Sequence, residues 1–331
     1  MNRNNKIPRM LFPVEGKPIF TAFLHGMLAS CGALASLGIL ASFGILVSCG
    51  TLATATGIAA KAAGEAGYIS PSLAYALVQS GEAVHKAAED ITPEQEYYIG
   101  RAVGANILTR YRVDTQSPAM TRYLNTIANA LAINSLRPGL YNGYHVAILD
   151  SPEINAFATS GGHIFITRGL LNCTNSEDSL ASVIAHEIAH IQLQHSIKAI
   201  KTSRITSALF ITGSSVVGAA TKGTSLEELT DIFGESVEEI VATMVNNGYS
   251  QTQEFNADEL ALSLLAAAGY EPSSLVDMLR ALEKKGAEHP GGFNATHPSP
   301  EARIGNVNKR LREYRVPDTR SYRRARYRAV K

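Results

Sequence analysis

The pentapeptide His186-Glu187-Ile188-Ala189-His190 constrains this chain more than any other feature, because it calls for a helix and a metal ion in the same place. At about 3.6 residues per turn, positions i and i+4 stand one above the other, so both imidazoles can reach one ion. Zinc accepts imidazole nitrogen readily, and a catalytic zinc keeps one position for water, which Glu187 is placed to deprotonate. The flanks agree with a helix. Asn175 or Ser176 can cap its start, Glu177 and Asp178 fall where the macrodipole favours anions, and no Gly or Pro intervenes up to about Lys201. Leu180, Val183, Ile184, Ile188 and Ile191 make it apolar on most sides, hence buried. Two histidines and a glutamate buried there are costly unless they are paired or bind metal.

A third ligand is offered by the segment from Ser250 to Ala261. Glu254 and Asp258 share a face of a second predicted helix, over 251–268, that stops at Gly269. Glu254 would complete a site of two histidines and one glutamate. Asp258 could accept the second ring N–H of a ligand histidine and fix its tautomer.

Five blocks then resemble one family, the gluzincin zinc metallopeptidases of family forty-eight (HtpX, BepA and CAAX prenyl endopeptidase type). They are Thr92-Pro93-Glu94-Gln95-Glu96, Asn155-Ala156-Phe157-Ala158 with Gly161-Gly162-His163-Ile164, the metal-motif helix, Glu254-Phe255-Asn256-Ala257-Asp258, and Thr296-His297-Pro298-Ser299-Pro300-Glu301. The resemblance implies one zinc ion per chain held by His186, His190 and Glu254, Glu187 as catalytic base, and Asp258 behind the ligands. Asn256 departs from the pattern, which often has a second acid there. In some relatives the histidine of the last block faces the zinc and holds the enzyme latent. His297 is therefore read as a catalytic-site switch or oxyanion donor, alongside a plainer reading in which the loop caps the last helix, with Ser299 as N-cap and Pro300 at N1.

The N-terminus is a different kind of sequence. Arg3, Lys6, Arg9 and Lys17 precede an apolar stretch from about Ile19 to Val47, with glycines at 26, 32, 38, 44 and 50. It is long enough to span a bilayer, and it also has the basic and apolar regions of an export signal. Leu46-Val47-Ser48-Cys49 resembles a bacterial lipobox, which would make Cys49 the lipidated first residue of the mature chain; Leu28-Ala29-Ser30-Cys31 matches too, with a shorter apolar region. Cys173 would then lack an intramolecular disulfide partner and is read as a small buried hydrophobe.

The domain reading is a leader or anchor over 1–48, an Ala/Gly-rich tether with one short helix over 49–91, a zinc metallopeptidase domain over 92–313, and a basic tail over 314–331. Within the domain, a capping box at Thr92 and Gln95 starts a helix to about Arg112, and another runs from about Ser117 to Ala132. Short strands are expected at Tyr144 to Leu149, Ile154 to Ala158 and His163 to Thr167, as a small antiparallel sheet preceding the metal-motif helix. Asn155 to Ala158 is the candidate edge for pairing with an extended substrate. Further helices are expected over 205–220, 225–245, 273–285 and 300–314. The fold class is α+β, mainly helical and zincin-like.

The net charge of +1 conceals an asymmetry, since residues 303–331 hold eleven of the thirty basic residues and only two acids. That tail is read as solvated and partly disordered, able to touch anionic lipid; nucleic acid is not an expected partner. The function expected is zinc-dependent hydrolysis of peptide bonds in misfolded or unassembled envelope proteins, on the periplasmic side of a bacterial membrane, by a chain attached through its N-terminal lipid or anchor. The alternative is a non-catalytic periplasmic assembly factor for outer-membrane proteins with a structural zinc.

Overall fold

Three short strands fix the floor on which the metal motif rests: β1 (His145–Leu149), β2 (Ala156–Ala158) and β3 (His163–Thr167). The computed structural model describes residues 49–140, 142–202, 241, 248–286, 297 and 300–331. The expected leader or anchor over 1–48, the helix over 205–220, most of that over 225–245, and the Ser299 cap lie outside the described residues. No helix among the described residues is long and apolar enough to cross a membrane.

The architecture is mainly helical with one small sheet, as expected, but the sheet is mixed rather than antiparallel. Its order is β1-β3-β2, with β3 antiparallel to β2 and parallel to β1. β3 takes the central slot, where Ile164, Phe165 and Ile166 are buried and both of its edges are paired, and the connection over 150–155 carries the chain past that slot before β2 begins. Gly162, at φ +87, permits the turn between β2 and β3; a side chain there would also run into the carbonyl of Gly143.

Side-chain alternation then divides the core. Val146, Ile148, Ala156, Ala158, Ile164 and Ile166 belong to one cluster, while Leu149, Phe157 and Phe165 belong to another with Val103, Ile107, Ile197 and Ile200. Helix α3 (Pro93–Arg110) contributes to the second cluster, starting at the expected capping box: Gln95 N–H donates to Thr92 Oγ1 and Thr92 N–H to Gln95 Oε1. Helix α4 (Pro118–Ala132) contributes Leu124, Ile127, Ala128 and Leu131 to the first, as its periodicity predicts. Each such apolar side chain contributes roughly 1.5–3 kcal/mol on full burial.

The stretch over 49–91 is not a tether with one helix. It forms two, α1 (Cys49–Glu65) and α2 (Pro71–Ala88), packed on each other. Small residues make this possible, because the helices approach so closely that a Cβ on Gly64 would lie 2.5 Å from Ala74 Cβ. After the sheet come α5 (Arg168–Cys173), the metal-motif helix α6 (Glu177–Gln192), α7 (Gln251–Ala267), α8 (Ser274–Gly286), α9 (Pro300–Arg310) and α10 (Arg320–Val330). Cys173 is half-buried and free, and burial pushes its thiol pKa up.

The basic tail also departs from expectation. It is neither solvated throughout nor separate from the domain: α10 packs against α6 and α4. Arg323 is buried beside Asp178 at 2.9 Å, Arg326 pairs with Glu177 at 2.5 Å, and the Tyr327 hydroxyl donates to the Thr174 carbonyl. The physical reason is that the carboxylates of Glu177 and Asp178 are largely buried, and the tail supplies their countercharge. Arg324 and Arg328 remain exposed on the opposite face of α10.

Candidate metal centre

Ser176 caps α6 by accepting the Ser179 N–H at 3.1 Å, and every residue from Glu177 to Gln192 is buried. One helical turn therefore stacks His186 and His190, whose Nε2 atoms lie 3.0 Å apart. A capping box of Ser250 and Gln253 starts α7, placing Glu254 in its first turn. Glu254 Oε2 is 3.4 Å from His186 Nε2, and its Oε1 is 3.3 Å from His190 Nε2. His297 joins the group, with Nδ1 2.8 Å from Glu254 Oε1. Thus the structure brings together four sequence-predicted residues, with donor atoms all within 4.8 Å of one another.

This donor set fits zinc. Ligand atoms bound tetrahedrally at ~2.0–2.1 Å stand about 3.3 Å apart; here the two Nε2 atoms are 3.0 Å apart, and each lies 3.3–3.4 Å from a different oxygen of the Glu254 carboxylate. The buried Glu187 Oε1 has no hydrogen-bond partner among the described residues, a costly condition that a non-protein partner would relieve.

Charges around the triangle are arranged in layers. Asp258 Oδ1 lies 3.0 Å from His186 Nδ1, and Arg303 grips Asp258 through Nη2 at 2.6 Å and Nε at 2.9 Å. Arg303 Nη1 also sits 3.1 Å from Glu254 Oε2. Burial pushes Asp258 upward, but the Arg303 charge and the hydrogen bonds outweigh it and bring it to about 2. Glu254 is likewise held well below the carboxylate range by His297 and Arg303 against the effect of burial. Burial pushes Glu187 the other way, up. His186 is lowered by burial and by Arg303, but its hydrogen bonds to Asp258 and Glu254 prevail and raise it to about 9.

Sequence reasoning missed three residues of this environment. Arg303 stands on the buried stripe of α9 with Pro300 and Val307, and an arginine on such a stripe is a legible sign of a buried acid nearby. His195 approaches His190 from behind, Nδ1 to Nδ1 at 2.8 Å; burial pulls its pKa down to about 4. Tyr249 stacks on His190 with centroids 4.3 Å apart. Of the candidate edge strand, Ala156, Phe157 and Ala158 are buried and β2 lies against α6, while Asn155 and Thr159 bond to β3. By alternation Ala156 and Ala158 turn their backbone groups to the other edge, where the Ala156 N–H already donates to Asn155 Oδ1.

Comparison with known proteins agrees with this geometry. The sequence pattern described as peptidase family M48 matches residues 118–311. The beta-barrel assembly-enhancing protease of Yersinia pestis is 26% identical over 209 residues, covering 62% of this chain and 41% of that protein. The Escherichia coli (strain K12) protein of the same name is 25% identical over 227 residues, covering 66% and 43%. Metalloprotease LoiP of Escherichia coli (strain K12) is 29% identical over 201 residues, covering 60% and 74%. The chain thus spans about two fifths of the length of the assembly-enhancing proteases it matches.

Proposed function

This chain belongs to peptidase family M48, and on that premise we propose that it is a zinc-dependent metalloendopeptidase. The observation that carries the reading is the convergence of His186, His190 and Glu254 within bonding distance of one ion, with the buried carboxylate of Glu187 on the same helix. Zinc would be held by those three residues, and when bound it supplies Lewis-acid activation of water and of the scissile carbonyl. Glu187 takes the proton of the attacking water and returns it to the leaving amine. Its upward-shifted pKa suits a group that must both accept and release a proton. Asp258 orients His186, and Arg303 keeps Asp258 and Glu254 ionised against burial.

His297 is a fourth donor within reach of the ion, which supports a switch that must withdraw before substrate enters. The outer edge of β2, next to α6, is the seat we propose for an extended substrate backbone. The substrates are polypeptides. We propose misfolded or unassembled envelope proteins, a reading that the relatives' name, beta-barrel assembly-enhancing protease, supports for proteins under assembly; the Cys49 motif supports periplasmic attachment through an N-terminal lipid, and the intact mass of the mature chain would reveal that lipid.

Casein digestion with and without a chelator, beside a zinc assay of the purified full chain, tests the reading. The expected result is one zinc per chain and cleavage that stops on chelation and returns with zinc. Bound zinc without any cleavage, with His297 intact or replaced, would favour a binding factor; a structural site gives the buried Glu187 no purpose.

A further inference from the structure

In the zinc reading, on which this inference rests, each ligand histidine gives one nitrogen to the metal and leaves the other for the protein to hold. Asp258 serves His186. At His190 the partner is a second imidazole, since His195 Nδ1 lies 2.8 Å from His190 Nδ1. Only one proton fits between two ring nitrogens at that distance. His190 turns Nε2 toward His186 and Glu254, so its proton sits on Nδ1, and His195 Nδ1 is the acceptor.

The backbone supports the same conclusion independently. On an unbroken helix a residue five positions after His190 would point about 140° away from it. The sequence predicts no break before Lys201, yet α6 ends at Gln192, and Gln194 adopts φ 55, the one non-glycine residue with positive φ among the described residues. A non-glycine side chain is at a disadvantage in that left-handed conformation. The Gln194 Nε2 bond to Glu96 Oε2 at 3.0 Å helps to offset it, and Glu96 is itself fixed by two bonds from Arg137. Beyond the break a helical stretch over 195–202 begins, with the His195 ring buried 4.9 Å from that of His190.

We propose that His195 is a positioning residue of the metal centre: as a neutral imidazole it accepts the Nδ1 proton of His190 and fixes that ligand's tautomer and ring plane. The two ligand histidines are then held by chemically different acceptors, an anionic carboxylate behind His186 and a neutral ring behind His190. The Gln194 turn exists to deliver that ring.

Zinc affinity, measured on the full chain by competition with a chromophoric chelator, tests the assignment without reference to activity. In His195→Phe the acceptor is gone, and zinc should bind about 10–100-fold more weakly than in the wild type. In His195→Asn the side-chain oxygen can replace the lost nitrogen, and affinity should return to within about threefold of wild type by the same reasoning. Thermal unfolding of the metal-free proteins reports packing separately. Wild-type affinity in a folded His195→Phe overturns the proposal, as does an equal loss in both variants. If His195→Phe does not fold, the affinity of His195→Asn decides. A wild-type chain that binds no zinc would instead sink the metallopeptidase reading and leave the His190 to His195 contact to be explained by packing.

Discussion

The Arg323 guanidinium lies 2.9 Å from the Asp178 carboxylate, joining the last helix of the chain to the first turn of the helix that carries His186 and His190. Arg323 also donates to the Gly269 carbonyl just beyond the end of α7, so one side chain ties together α10, the start of the metal-motif helix and the exit of the Glu254 helix.

Arg323→Ala should therefore destabilise the protein by about 3 kcal/mol, since it leaves a largely buried carboxylate without its countercharge. Arg326→Ala should cost less, about 1 kcal/mol, because solvent screens the half-exposed Arg326 and the buried Glu177 carboxylate keeps the hydrogen bond donated by the Tyr123 hydroxyl. Urea unfolding of both variants checks the order, and equal midpoints would contradict it.

Arg303→Met should weaken the metal-free protein more than the zinc-loaded one. Removing the guanidinium leaves Glu254 and Asp258 as neighbouring buried anions, a loss of roughly 3–5 kcal/mol. Zinc held by His186, His190 and Glu254 would restore positive charge there. The deficit in melting temperature relative to wild type, compared with chelator and with excess zinc, should shrink when zinc is present.

Glu187→Gln should retain zinc and lose about a hundredfold to ten-thousandfold in peptide hydrolysis, the usual worth of a positioned acid–base group. Metal content and casein turnover measured on one preparation check both halves. Full activity in this variant would remove Glu187 from the mechanism.

Acid should weaken the fold through Asp114 and Asp258. Each has a folded pKa below its unfolded value, Asp258 at about 2 and Asp114 lowered by its hydrogen bonds and Arg168 against burial. A depressed carboxylate contributes stability that is present above about pH 4 and is lost as pH falls through the folded value. For Asp258 that contribution is about 2 kcal/mol. Asp114→Asn should be less stable than wild type at pH 7 but lose stability less steeply between pH 4 and 2.5, as unfolding midpoints would show.

Much of the site was readable locally. The HExxH spacing, the acids of the first turn and the capping box at Thr92 and Gln95 depend only on residues within one or two turns of each other, and so does the common face of Glu254 and Asp258. The parallel pairing of β1 with β3 was not readable, because the two strands look alike whichever neighbour they take. Neither was the docking of the tail, where a run of arginines reads as solvated until the buried Glu177 and Asp178 are seen beneath it.

The sequence by itself determined that two imidazoles share a face of one helix and two carboxylates a face of another, since helical periodicity is a property of the local chain. Only the tertiary structure decided which further groups surround them. Arg303 reaches Asp258 from another helix, and His195 reaches His190 only because the helix breaks at Gln194. Such contacts join groups distant in sequence or pointed apart by local periodicity, and they form only where burial makes leaving a charge or a ring nitrogen unpaired more costly than bending the backbone.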